Sequence, residues 1–136
     1  SPAEAAEIST RRAVYELRAA QSPETQLWQS PQSTAWTVVY EEDPRFQTSC
    51  LHRFVYVKPA RSLADTLQQT AAFSGRVSTV GLAACGDKLR ELSTALARWG
   101  VARVCPIGQM QDPALPWRHD GRPALNELVT WTDWEL

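Results

Sequence analysis

The sequence runs to 136 residues, 43% hydrophobic and 21% charged, which is enough for a packed core and too apolar for a disordered chain. Fourteen basic residues face fifteen acidic ones, a net charge of −1, so neither nucleic acid nor an anionic membrane surface is indicated as a partner. No apolar run reaches membrane-spanning length and Glu4 and Glu7 stand where a signal peptide would be basic and apolar, so a cytoplasmic location is expected.

Residues 1–20 read as a helix that starts on a capping box, with Ser1 as cap, Pro2 at the first helical position and Glu4 closing the box. A chain that opens on a helix cap is the expected look of a piece of a longer protein, although Met removal or cleavage of a tag would look the same. Ala6, Ala13, Leu17 and Ala20 give this helix a thin apolar stripe, and Ser22-Pro23 ends it. Residues 23–34 are rich in Ser, Gln and Pro, with Leu27 and Trp28 as anchors of a loop. Residues 35–41 (AWTVVYE) are β-branched and aromatic and predict a strand, followed by a turn at Glu41-Glu42-Asp43-Pro44.

A second strand is predicted over 51–58 (LHRFVYVK). Ser62 then caps a helix with Asp65 at its third position and Leu63, Leu67 and Ala71 on one face. Gly75 breaks it, and Val77–Leu82 is a strand. Leu89, Leu92, Leu96 and Trp99 recur at helical spacing after Asp87, and Gly100 stops that helix. Val101–Pro106 is a short apolar strand. Residues 107–123 form a long loop with Gly108, Pro113, Pro116, Gly121 and Pro123, and order returns over 124–134 around Leu125, Leu128, Val129 and Trp131. Apolar strands alternating with one-sided helices predict an α/β fold, a mainly parallel sheet with helices on its faces, in a single domain over 1–136.

Three groups of residues carry candidate chemistry. His119-Asp120-Gly121-Arg122-Pro123 places an imidazole, a carboxylate and a guanidinium in the long loop. Turn chemistry alone also accounts for such a cluster. Cys50, Cys85 and Cys105 are scattered, with no CxxC and no His pair, so no zinc site is expected and free thiols fit a reducing compartment. Cys85 precedes a helix and Cys50 has His52 nearby, but a small buried hydrophobe is the better reading of each thiol, Cys105 included. Gly81–Asp87 follows a strand and precedes a helix without matching a phosphate-loop pattern. His52 stands at the entry of its strand, the wrong end for a site in a parallel sheet.

The segments Ser78–Ala83 (STVGLA), Trp99–Val104 (WGVARV) with Pro106-Ile107-Gly108, and Trp117–Leu125 (WRHDGRPAL) running into Glu127–Trp131 (ELVTW) resemble the C-terminal region of LuxC-type acyl-CoA reductases, the fatty-acid reductases of bacterial bioluminescence. The resemblance extends from the first helix to the C-terminus. It implies part of an aldehyde dehydrogenase-like catalytic domain that reduces a fatty acyl thioester to an aldehyde with NADPH. In that family a cysteine takes the acyl group, and it lies upstream of the helix that begins this chain. None of the chain's three cysteines matches its motif, so the nucleophile is expected upstream of Ser1, with the cofactor domain, and the chain alone is expected to be inactive.

The resemblance carries His119, Asp120, Gly121 and Arg122 over as residues lining the substrate end of the site. Aldehyde dehydrogenases hold the cofactor ribose with a Glu just before a strand matching 54–58. This chain has Ser49 or Cys50 there, and Ser49 becomes the expected cofactor contact. The implied partners are the N-terminal remainder of the reductase and fatty acyl-CoA, and a homo-oligomer is compatible with the reading. Two rivals stand beside it: a non-catalytic assembly module that docks through helix 1–20, and a small thiol-dependent enzyme using Cys85 or Cys50.

Overall fold

A computed structural model describes residues 1–122 and residue 132. The ordered segment expected over 124–134 lies outside the described residues. The chain divides into two compact units, Ser1–Thr70 and Ala71–Leu136, and each is described by itself.

The first unit opens with helix α1 (Pro2–Gln21). The capping box read from the sequence is present: Ser1 Oγ accepts from the Glu4 backbone N–H and the Glu4 carboxylate binds back to the Ser1 amino group. The buried face is not the predicted one. Ile8, Arg12 and Tyr15 point inward, whereas Leu17 is 60% exposed and Ala6, Ala13 and Ala20 face solvent. A stripe counted from apolar residues excludes arginine, but Arg12 is drawn in by a ring of acceptors. It donates to Thr37 Oγ1 at 2.8 Å, Ser33 O at 2.6 Å, Ser30 Oγ at 3.2 Å and Trp36 O at 2.7 Å. A buried guanidinium is tolerable when its donors are met.

Strand β1 (Thr25–Gln29) occupies part of what the sequence suggests is loop. It pairs antiparallel with β2 (Thr37–Glu41), Leu27 opposite Val39, and β2 pairs parallel with β3 (Phe54–Val57), Val39 opposite Tyr56. Alternation then sorts the side chains. Val39 and Phe54 are buried with Ile8 and Tyr15, and Leu27, Cys50 and Tyr56 pack against them. Tyr15 meets Tyr56 edge-on at 5.7 Å between centroids, and Phe54 lies 5.3 Å from Tyr56. Trp28, Val55 and Val57, on the opposite face, stay 45–49% exposed. Glu41, buried at the end of β2, binds Arg18 and Lys58, each at 3.0 Å.

The predicted strand over 51–58 begins only at Phe54. Leu51, His52 and Arg53 all have left-handed backbone, with φ of 67°, 50° and 58°. Such a run costs roughly 1–2 kcal/mol per residue and is held by its surroundings. Leu51 N donates to Ser49 Oγ at 3.1 Å, Phe54 N donates to Leu51 O at 2.9 Å, and Thr37 N donates to Arg53 O at 2.9 Å. Helix α2 (Leu63–Gln69) carries the expected Ser62 cap, accepting from Asp65 N at 3.1 Å. Leu63 and Leu67 are only half-buried in it, and Ala71 falls beyond its end and is exposed.

In the second unit β4 (Thr79–Leu82) pairs parallel with β5 (Arg103–Pro106), and helix α3 (Gly86–Trp99) connects them. Leu96 and Val101 are buried, Leu92 and Trp99 half-buried, and Leu89 is exposed. Gly100 ends α3 in the left-handed region at φ 103°, where a Cβ would lie 2.9 Å from the backbone of Gly75. The mixed α/β class matches the sequence reading, but the strand order differs. Instead of one sheet running through the last three strands, the described residues form a β1-β2-β3 sheet and a β4-β5 sheet. Unforeseen β1 supplies a hairpin partner for β2, and β3 pairs on the other side of β2.

Candidate functional site

The loop after β5 brings His119, Asp120, Gly121 and Arg122 into one tight turn. Gly121 N donates to Arg118 O at 3.1 Å and Arg122 N donates to His119 O at 3.0 Å. Asp120 has φ 49° and Gly121 φ 78°, conformations that Asp and Gly adopt more readily than most residues. His119 Nδ1 lies 3.0 Å from Asp120 Oδ2, and the two side chains are 71% and 63% exposed. The imidazole and the carboxylate thus face each other across one short contact, with both side chains open to solvent.

Two residues that sequence reasoning did not single out support this turn. The Trp117 ring lies 4.8 Å from the His119 ring, and the Arg103 guanidinium lies 5.7 Å from the Trp117 centroid. Arg103 also donates to the carbonyls of Gln109 and Met110, each at 2.9 Å, and of Asp112 at 3.2 Å. A lone arginine opening an apolar strand was the signal available in the sequence. Gly81 contributes by having no side chain. A Cβ there would fall 2.7 Å from Met110 Sδ, so this glycine makes room for the loop.

Ser49 belongs to the first unit. It lines an open cavity of about 930 Å³ bounded by Phe46, Val55, Tyr56, Lys58, Arg61 and residues of α2. Its hydroxyl donates to Phe54 O and accepts from Leu51 N, so what remains for a ligand is acceptor capacity. Lys58 at this cavity is already committed to Glu41 and to Asp43 O at 2.9 Å. His52 stands near Glu4, with Nε2 3.8 Å from the carboxylate, and is part of the left-handed turn.

The cysteines are free. Cys50 packs against the core of the first unit, Cys105 lies in β5 opposite Gly81, and exposed Cys85 is the N-cap residue of α3 without a side-chain capping bond. Among the described residues no three His, Cys, Asp or Glu side chains gather as a metal site, and no helix is long and apolar enough to cross a membrane.

These features define a mixed α/β protein with a His–Asp turn presented by a stapled loop. The family model for acyl-CoA reductase (LuxC) matches residues 1–131. The chain belongs to that family, and the match runs through both units and the His119–Arg122 turn. No curated protein and no solved structure matches the chain.

Proposed function

We propose that this chain is a segment of the aldehyde dehydrogenase-like catalytic domain of an acyl-CoA reductase. The reaction converts a fatty acyl thioester to an aldehyde and a free thiol, taking up one hydride and one proton. The observation that carries the reading is the family match over residues 1–131. The acyl-accepting sulfur is assigned to a cysteine outside this sequence. Cys50 packs against a core and Cys105 lies within a strand, and the helix N-terminus beside Cys85 does not by itself build an acyl-accepting site. The chain's partners in this reading are the N-terminal remainder of the reductase and its fatty acyl-CoA.

NADPH, when bound, supplies the hydride. The residues present fit one edge of it in part: Ser49 retains acceptor capacity for a ribose hydroxyl, as the Glu of aldehyde dehydrogenases does, but brings no negative charge. His119, Asp120, Gly121 and Arg122 line the substrate end, where they orient the acyl thioester.

The test uses the purified chain with a fatty acyl-CoA and NADPH. Alone it forms no aldehyde, and aldehyde appears when an N-terminal reductase segment bearing the family's cysteine is added. Aldehyde formed by the chain alone, and abolished by Cys85→Ala or Cys50→Ala, overturns the reading in favour of a self-sufficient thiol enzyme.

A further inference from the structure

We infer that Arg103 is the positioning residue of the His119–Asp120 pair. The inference rests on the reading above for what the pair does, but not for how it is held. The loop from Ile107 to Arg122 contains one short 3-10 turn, His119–Gly121, and no longer helix or strand. Its start is bound to the sheet, Ile107 N donating to Leu82 O at 3.2 Å and Gln109 N to Pro106 O at 3.1 Å, but beyond Asp112 the backbone bonds are local turns such as Trp117 N to Ala114 O, 2.9 Å.

Arg103 ties the later part of the loop, through Trp117, back to β5. Its backbone is fixed at the start of β5, where its N–H donates to Ser78 O at 2.9 Å. From there one guanidinium reaches three backbone carbonyls within residues 109–112 of the loop: Nη1 binds Met110 O, and Nη2 binds Gln109 O and Asp112 O. The same planar group lies over Trp117, Trp117 packs on His119, and His119 meets Asp120 at 3.0 Å. A planar fork can bind several carbonyls while its flat face lies over a ring, and a lysine ammonium has no such face. Met110 seated against Gly81 is the second anchor of the same loop. The chain of contact therefore runs from β5 through Arg103 and Trp117 to the imidazole.

The test reads the tryptophan fluorescence of the full 136-residue chain across the titration of His119, because a protonated imidazole quenches an indole packed against it. The wild-type chain shows a quenching step that disappears in His119→Gln and in Trp117→Phe. Arg103→Met loses at least half of that step while thermal unfolding stays cooperative, and Arg103→Lys recovers only part of it. Arg103→Gln, which keeps one amide donor, serves if Arg103→Met does not fold. A full wild-type step in Arg103→Met or Arg103→Gln overturns the inference. Failure of the reductase reading is seen separately. If the step is lost but a reconstituted reductase carrying His119→Gln turns over like wild type, the positioning holds and the site role falls.

Discussion

Arg12 of α1 and Trp36, at the end of the β1–β2 connection, are joined by a 2.7 Å hydrogen bond from Nη2 to the Trp36 carbonyl. The same guanidinium reaches Ser30, Ser33 and Thr37, so a single side chain gathers the whole connection against the helix. Arg12→Met removes all four bonds and takes from buried Thr37 Oγ1 its donor, while Ser33 O, Trp36 O and Ser30 Oγ keep bonds within the connection. We expect a loss of about 3 kcal/mol in urea unfolding, with little recovery in Arg12→Lys. A variant as stable as the wild type would show that water replaces the guanidinium at no cost.

Glu41 and Lys58 form a second buried tie, the carboxylate shared with the more exposed Arg18. Lys58→Met leaves Glu41 with that one exposed cation and should cost about 2–3 kcal/mol. Replacing both residues, as Glu41→Leu with Lys58→Met, should cost less than the two single changes summed. Additive effects in the double-mutant cycle would mean that the pair is not coupled.

Tyr15 contributes to the alkaline limb of stability. Burial first, then its contact with Tyr56, pushes its hydroxyl up to about 12 from an ordinary value of 10.0. The unfolded chain therefore gives up this proton first. The contribution is full below pH 10 and falls away as pH rises toward about 12. Tyr15→Phe should flatten stability against pH in that window, as followed by denaturant midpoints. An unchanged slope would exclude Tyr15 as the group responsible.

Gly100 and Gly75 separate two effects that glycine substitutions usually mix. Gly75→Ala meets nothing within 4 Å and bears only its left-handed backbone, φ 69°, at a cost of about 1 kcal/mol. Gly100→Ala adds a Cβ 2.9 Å from Gly75 backbone atoms at φ 103° and should cost about 2 kcal/mol more. Equal thermal shifts for the two variants would show that the backbones part freely.

His119→Ala and Asp120→Ala should leave stability within about 0.5 kcal/mol, because both side chains are mostly exposed. In a reconstituted reductase each should lower turnover about tenfold or more, the size of effect that a displaced lining group produces. Wild-type kinetics in both variants would remove the loop from the site.

Much of this architecture can be read directly from the sequence. The Ser1–Glu4 box, the Ser62 cap and the Gly100 stop are local chemistry, set by residues three or four apart. Strand β1 is not legible, because Thr25–Gln29 carries two glutamines and its inward positions are Thr25, Leu27 and Gln29. The face of α1 is misread because burial there follows a cation with distant acceptors, and residue type gives no hint of them. The His119–Asp120 pair is visible because its members are adjacent. Arg103 is not, because its acceptors are backbone carbonyls of Gln109, Met110 and Asp112, which any residues would provide.

The left-handed stretch ahead of Phe54 also limits how the sheet can be assembled. Beyond the bond from Thr37 N to Arg53 O, the β2–β3 ladder does not continue upstream, because Leu51–Arg53 are left-handed and not extended. A slip by one residue would turn Phe54 and Tyr56 outward and bring Val55 and Val57 into the core. Backbone handedness, held there by contacts such as Leu51 N to Ser49 Oγ, thus marks where β3 starts.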